Sequence, residues 1–519
     1  MDTDPPSGGT ETGVRSEARG GADEREPIEE SAPHREGDLG RLSSGIEGLD
    51  TVLGGGFLAG YHYLIRGTPG AGKTILGWHF LTAAGGDDAL YVTFEERPGK
   101  IRRNAASLGL DLDDVTILDL SPESHFFAES GSYDVFAPSA VEHESLTDRV
   151  RTQLDEHTPR RVLLDPVTQL RYLSPDEFQF RRELLALMGL LTDRDATVLF
   201  TSQASPETPD DDLQFLSDGV VELSRPNGGR LLTVPKFRGS EADAGTHTVT
   251  LGPGGMTVYP RVIVEREGRP FTRRVASSGV PEFDELLHGG VERETTTLLS
   301  GPTGVGKTTA GSLFLKEAAS RGHHSILYHL EEKPETFVER CASVNIPVRE
   351  MMERGTLDVV GVTPALMTVG EFLGRVQADV TDDTEFVMID GIQGFEKLTN
   401  VSEELEELSA LTNLLTARGI TVILTDEMPN VVGEFRPSKS GETALADNIV
   451  FMRYVEFGGE MHRAIGVLKK RTSDFERRLR RFEITEYGVR VGEPLTGLSG
   501  VLTGDPRWVG TDPERDEVL

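Results

Sequence analysis

Two stretches of the chain carry residue types at a spacing suited to polyphosphate chemistry. The first, Gly67-Thr68-Pro69-Gly70-Ala71-Gly72-Lys73-Thr74, fits the pattern G-x-x-x-x-G-K-[ST] at every fixed position. Small residues let successive backbone N–H groups turn inward around phosphates. Lys73 can then reach the terminal oxygens, and the Thr74 hydroxyl can ligate Mg2+. The second stretch, Gly301-Pro302-Thr303-Gly304-Val305-Gly306-Lys307-Thr308, is equally complete and begins 234 residues later (301 − 67). Thr309, directly after it, is taken into the same nucleotide-binding set.

Carboxylates recur around both loops. The apolar runs Arg161-Val162-Leu163-Leu164-Asp165 and Glu385-Phe386-Val387-Met388-Ile389-Asp390 each end in Asp. Ligands of open α/β sheets bind at the carboxyl ends of the strands, where such a carboxylate can hold the Mg2+ shell. An Asp that only caps the following turn is the plainer reading of either run alone, and recurrence in both halves favours the metal role. Tyr91-Val92-Thr93-Phe94-Glu95-Glu96 matches Leu327-Tyr328-His329-Leu330-Glu331-Glu332. One carboxylate of each pair could orient or deprotonate a water that attacks the γ-phosphate. Adjacent glutamates in an acidic chain are ordinarily solvated surface, and again the repetition favours function. Late in each half stands a basic tripeptide, Lys236-Phe237-Arg238 and Lys469-Lys470-Arg471. Each lies far in sequence from its own loop, so Lys236, Arg238, Lys469 and Arg471 could project onto a neighbouring subunit's γ-phosphate. The alternative is solvated charge at a strand end.

The elements that must position these groups repeat as well. His62-Tyr63-Leu64-Ile65 reads as a strand before the first loop, and Ile75 to Leu81 as a helix after it, which sets phosphates on a helix N-terminus. Ser44-Gly45-Ile46 through Leu53-Gly54-Gly55-Gly56 is answered by Ser278-Gly279-Val280 through Leu287-His288-Gly289-Gly290, again 234 residues on (279 − 45). Thr197-Val198-Leu199-Phe200-Thr201-Ser202 is answered by Thr421-Val422-Ile423-Leu424-Thr425-Asp426. Short apolar strands alternate with helical stretches such as 182–191 and 405–418, the rhythm of a parallel sheet covered by helices. The expectation is two α/β domains, 41–260 and 272–497, joined by a short charged linker at 261–271 and therefore stacked. Residues 1–40 and 498–519 are rich in Gly, Pro, Asp and Glu and read as tails.

Composition narrows the function classes. The net charge is −33, from 53 basic and 86 acidic residues, and only 10 of the 53 are lysine. An acidic, arginine-weighted surface along the whole chain suits a protein kept soluble in a salt-rich, halophilic cytoplasm. It offers little to a nucleic-acid backbone, whose affinity rests on clustered Lys and Arg. The single cysteine, Cys341, rules out an intramolecular disulfide and a cysteine-based metal site. No apolar run approaches the ~20 residues of a membrane span and no signal-peptide pattern opens the chain, so a cytoplasmic protein is expected.

Taken together, these residues resemble the RecA-type ATPases, and within them the KaiC family, over about 450 residues. The resemblance rests on the Ser-Gly-(Ile/Val) lead-in, the Leu-Gly-Gly-Gly before the first loop, the Glu-Glu pairs, Tyr454-Val455-Glu456-Phe457-Gly458-Gly459-Glu460-Met461 with Arg463-Ala464-Ile465, and the Lys-x-Arg tripeptides. It implies two tandem RecA-like P-loop NTPase domains, each a mostly parallel sheet flanked by helices, that bind ATP with Mg2+. It also implies a catalytic-base role for Glu95, Glu96, Glu331 and Glu332, metal roles for Thr74, Asp165, Thr308 and Asp390, and trans contacts from the Lys-x-Arg segments in a homohexameric double ring. A regulatory protein partner and serine/threonine autokinase activity in the second domain belong to the same implication. The family's Ser-Thr acceptor pair falls on Thr443-Ala444, leaving Thr443 as the phosphoacceptor.

Two other classes remain open. A recombinase or nucleic-acid motor could use the same core, but the stretches 205–212 and 402–407 where it would grip DNA are acidic and would repel phosphates. A non-catalytic scaffold held together by ATP would keep both loops without turnover.

Overall fold

The computed structural model describes residues 40–121 apart from 84, 86 and 87, and 146–262 apart from 157, 175, 204–209, 227 and 228. It continues with 273–396, 404–428, 444–501 apart from 458, and 507–508. All elements below belong to one compact unit, Arg41–Leu519.

Two nine-stranded sheets form the framework. The first runs, edge to edge, Thr116–Asp119, Ala89–Thr93, Arg161–Asp165, Thr197–Ser202, His62–Gly67, Gly219–Ser224, Arg230–Phe237, His247–Gly252 and Gly255–Tyr259. The second repeats that order with Leu357–Gly361, His324–His329, Thr384–Asp390, Thr421–Glu427, Thr296–Gly301, Asn448–Phe457, Glu460–Lys470, Arg480–Thr485 and Gly488–Pro494. The first six strands of each sheet are mutually parallel and the last three join antiparallel. The protein is therefore α/β, with mostly parallel sheets.

The central strands are mostly apolar because both faces of each sheet are covered. Along Arg161–Asp165, Leu163 packs into one core and Val162 and Leu164 into the other. Thr384–Asp390 divides in the same way, with Met388 on one side and Val387 and Ile389 on the other. The helices Lys73–Thr82 and Lys307–Ser320 cover one face of their sheets, and Glu177–Thr192 and Glu404–Ala417 the opposite face. The first two sit close to the sheet: a Cβ on Gly77 would fall 2.6 Å from Leu163 Cδ2, and one on Gly311 2.6 Å from Met388 Cε.

The halves touch. Helix Val369–Asp379 of the second lies against the edge of the first sheet, where a Cβ on Gly370 would sit 2.6 Å from Thr248 Cβ and one on Gly374 3.1 Å from Tyr259 Cδ1. Arg261 adds an exposed ion pair to Glu406 at 3.2 Å. Among the described residues no helix is long and apolar enough to cross a membrane.

Candidate nucleotide sites

Each loop leaves the carboxyl end of a central parallel strand and enters a helix directly. Gly67 adopts φ +148°, and a Cβ there would lie 2.0 Å from the Leu223 carbonyl oxygen of the neighbouring strand. Only glycine lets the chain turn that close to the sheet. Gly72 and Gly306 then take left-handed conformations as the residues preceding helices Lys73–Thr82 and Lys307–Ser320. Ala71 and Val305 are buried and pin the loops, while Thr68, Pro69, Gly70, Thr303 and Gly304 remain exposed at their tips.

The loop lysines fold back across their own loops. Lys73 Nζ donates to the carbonyls of Gly67 at 2.7 Å and Thr68 at 3.2 Å. Lys307 Nζ does the same with Gly301 at 2.7 Å and Pro302 at 3.0 Å. Burial lowers the pKa of Lys73, opposed by the carboxylates of Asp165, Asp210 and Glu95. Lys307 shifts the same way, opposed by Glu427, Asp390, Asp426 and Glu331. Both ammonium groups thus stand where polyphosphate oxygens would converge.

Asp165 and Asp390 end their strands beside these lysines, and neighbouring donors fix both carboxylates. Tyr91 Oη donates to Asp165 Oδ2 at 2.9 Å, and the Thr201 hydroxyl donates to Oδ1. In the second half Thr425 Oγ1 donates to Asp390 Oδ1 at 2.7 Å, and His329 Nδ1 lies 3.0 Å from Oδ2. Thr308 Oγ1 reaches both Asp390 oxygens, at 3.0 and 3.1 Å. Burial would raise the Asp390 pKa, yet the bonds from His329, Thr425 and Thr308 hold it below the ordinary carboxylate value. Thr308 and Asp390, proposed from sequence as the two protein groups at the metal, are thus brought into direct contact. A loop hydroxyl beside an ionised carboxylate is the oxygen donor set that suits Mg2+. In the first half Thr74 and Asp165 line one cleft of about 340 Å3, together with Lys73, Glu95 and Glu96.

The glutamate pairs divide by geometry. Glu96 is engaged by Lys100 Nζ at 2.6 Å, and Glu332 by Arg340 at 2.6 Å. Glu95 is exposed and lines the same cleft as Lys73. Glu331 is exposed and packs against Gly391, next to Asp390, where a Cβ on Gly391 would lie 2.7 Å from Glu331 Cγ. Glu95 and Glu96 thus both line the first cleft, and Glu331 lies beside the strand end that carries Asp390.

The basic tripeptides lie away from their own loops. Lys236 Nζ donates to the carbonyls of Gln214 at 2.7 Å and Ser217 at 2.5 Å, and Lys469 Nζ to Ala446 at 2.7 Å. Arg238 and Arg471 are mostly exposed and lie 3.6 and 2.8 Å from the equivalent carboxylates Asp218 and Asp447. All four thus have partners within their own halves, and the arginines are the more exposed groups. Thr309 is buried at 4 % exposure within its helix. Thr443 lies outside the described residues.

No motif in the sequence marks Tyr91, Thr201, His329 or Thr425, although all four stand in strands that repeat between the halves. The signal was available for the threonines, since Thr201 and Thr425 are matched across the repeat one strand away from the Asp they hold.

A family model described as "ATPase: KaiC" matches the chain twice, over residues 42–263 and 276–496. Among curated proteins, the chain is 29% identical over 496 residues to the circadian clock oscillator protein KaiC of Parasynechococcus marenigrum (strain WH8102), covering 92% of this chain and 95% of the relative. It is 28% identical over 497 residues to the protein of the same description from Acaryochloris marina (strain MBIC 11017), covering 92% and 94%. Identity to the circadian clock protein KaiC3 of Synechocystis sp. (strain ATCC 27184 / PCC 6803 / Kazusa) is 27% over 487 residues, covering 90% and 95%.

Proposed function

Because the chain belongs to the KaiC family of ATPases, we propose that it hydrolyses ATP with Mg2+ and uses nucleotide state to set the conformation of a ring-shaped homo-oligomer. The observation that carries this reading is the arrangement around each loop: a lysine folded across it, an Asp fixed at the adjacent strand end, and an exposed glutamate at the end of the next strand. In the second half the loop's own Thr308 meets that Asp directly.

In this reading the nucleotide lies along 67–74 in a first domain, 41–260, and along 301–309 in a second, 272–497. Thr74 with Asp165, and Thr308 with Asp390, hold Mg2+, which neutralises charge on the phosphates. Glu95 and Glu331 orient the attacking water, with Glu96 and Glu332 supporting them. Arg238 and Arg471 reach a neighbouring subunit's nucleotide in a homohexameric double ring, while Lys236 and Lys469 hold the segments that carry them. Self-phosphorylation would transfer the γ-phosphate to the Thr443 hydroxyl and release ADP. An acidic, salt-tolerant cytoplasmic protein with a protein regulator completes the proposal.

The test is phosphate release from γ-labelled ATP at high salt. Glu95→Gln and Glu331→Gln together should lower turnover at least about a hundredfold, in line with the loss of a general base, while nucleotide binding persists. Unchanged turnover would remove the assigned bases, and undetectable turnover in the parent would favour the scaffold. Stimulation by DNA would favour the nucleic-acid motor. Label on Thr443 would support the kinase step, and its absence would remove that step alone.

A further inference from the structure

The two halves close the same backbone turn with different cations. In the first, Arg41 Nη1 donates to the carbonyls of Leu53 at 2.7 Å and Gly56 at 2.8 Å, and its Nη2 to Ser240 Oγ at 2.6 Å. The equivalents 234 residues on are Leu287 and Gly290, and Val275 stands in place of Arg41. There the donor is Lys470, the middle residue of the second basic tripeptide, whose Nζ donates to the Leu287 carbonyl and to that of Gly290 at 3.0 Å. Lys470 Nζ also lies 3.1 Å from Glu292 Oε1, both side chains being fully buried, and Glu292 Oε1 accepts from Ser473 Oγ at 2.7 Å. In the first half the corresponding residues are apolar, Leu58 for Glu292 and Phe237 for Lys470, with Phe237 stacked on Tyr63 at 5.5 Å.

We propose that the buried Lys470–Glu292 pair is a positioning device that ties the strand carrying Lys469 and Arg471 to the Gly-rich lead-in of the second loop and so sets the reach of Arg471. This rests on the reading of Arg471 as a group directed at a neighbouring subunit's nucleotide. Charged groups buried without partners are costly, so the ammonium and carboxylate hold each other in one arrangement. Ser473, two residues beyond Arg471, is tied to the same carboxylate, so Arg471 is flanked on both sides by anchored residues. The first half joins the same parts through Arg41 and Ser240. Lys470 and Glu292 touch no nucleotide in this account and act through Arg471.

The experiment uses the full chain with Glu95→Gln and Glu96→Gln, so that phosphate release reports the second half. Lys470→Met should lower kcat about tenfold with little change in KM, and so should Arg471→Ala; the double variant should be no slower than Arg471→Ala, because the two act in series. Val275→Arg added to Glu292→Leu/Lys470→Phe transfers the first half's arrangement and should recover kcat. Multiplicative losses, an unchanged kcat in Lys470→Met, or no recovery in the folded triple variant would each overturn the positioning role. If Lys470→Met does not fold, the comparison with and without Val275→Arg decides. Full turnover in Arg471→Ala would instead remove the underlying reading of Arg471, and this proposal with it.

Discussion

Tyr91→Phe tests whether the carboxylate at the first site is held in place by its neighbours. Tyr91 is 2% exposed, and its phenol donates to Asp165 at 2.9 Å. Burial, followed by the adjacent Asp165 charge, pushes its pKa well above the ordinary tyrosine value, so it stays a donor at any pH the protein would meet. Phenylalanine fills the same space and removes only the oxygen, so the packing loss is small. A hydrogen bond to a charged group is worth about 1.5–3 kcal/mol. Thr201 still donates to the other carboxylate oxygen, so the substitution removes one of two contacts that orient Asp165. If the full amount were drawn from the metal-competent orientation, Mg2+-nucleotide affinity at the first site would fall by about 10- to 150-fold, which is the ceiling. Titration with Mg2+ and a non-hydrolysable ATP analogue in a Lys307→Ala background isolates that site, and a Lys73→Ala background isolates the other. Leu327 occupies the equivalent position in the second half, so that site should be unaffected. Unchanged Mg2+ dependence at the first site, or equal loss at both, would show that Tyr91 does not orient Asp165 for the metal.

Two further outcomes follow from buried charge. Removing one member of the Lys470–Glu292 pair, as in Glu292→Leu, should destabilise the second half by about 3–5 kcal/mol, whereas Glu292→Leu with Lys470→Met should recover part of that loss, the Leu287 and Gly290 carbonyls still lacking their donor; urea unfolding that finds the double variant as unstable as the single would refute the pairing. His79 is 7% exposed, and its Nε2 accepts the Met256 N–H at 2.8 Å. Burial lowers its pKa, opposed by its bond to the Gly45 backbone. A histidine depressed in the folded state adds stability that is fully present above its unfolded pKa of about 6.5 and is lost as pH falls through the folded value. His62 and His247 shift the same way, so His79→Gln should make the acid-side fall in urea midpoint between about pH 7 and 5 shallower without abolishing it. An unchanged slope would refute the role given to His79.

What the sequence made legible was whatever a short spacing or an exact repeat could encode. The loops, the strand-end Asp165 and Asp390, and the Glu-Glu pairs each occupy a contiguous motif, and the parallel strands read as unbroken apolar runs because both sheet faces are buried. The support behind those motifs was not legible in the same way. Tyr91 meets Asp165 across 74 residues and Arg41 meets Ser240 across 199, and no local period records a partner chosen by the sheet order. The basic tripeptides show the limit from the other side. Their spacing names Lys236 and Lys469, while the carbonyls their Nζ atoms meet, at Gln214, Ser217 and Ala446, lie in segments that no spacing links to them.

Departures from the repeat carry information that its matches do not. A duplicated fold fixes which positions face each other, so a change at one position can be read against its neighbour in the other copy. Leu58 and Phe237 become Glu292 and Lys470, two apolar residues exchanged for opposite charges at positions that touch, while Arg41 becomes Val275. Each of these changes is costly alone: without Lys470 the buried Glu292 would keep Ser473 but lose its buried cation, and the Leu287 and Gly290 carbonyls would lose their donor. Thr93 becomes His329 beside Asp390, and Tyr91, which serves Asp165, becomes Leu327. The loops themselves stay interchangeable, with both lysines and both terminal carbonyls in the same arrangement. Differences in what the two nucleotide sites do are therefore to be sought in the residues that hold the site and in the carboxylates around each lysine, and not in the loop backbone. The substitutions at Tyr91, Glu292 and Lys470 are chosen to act there.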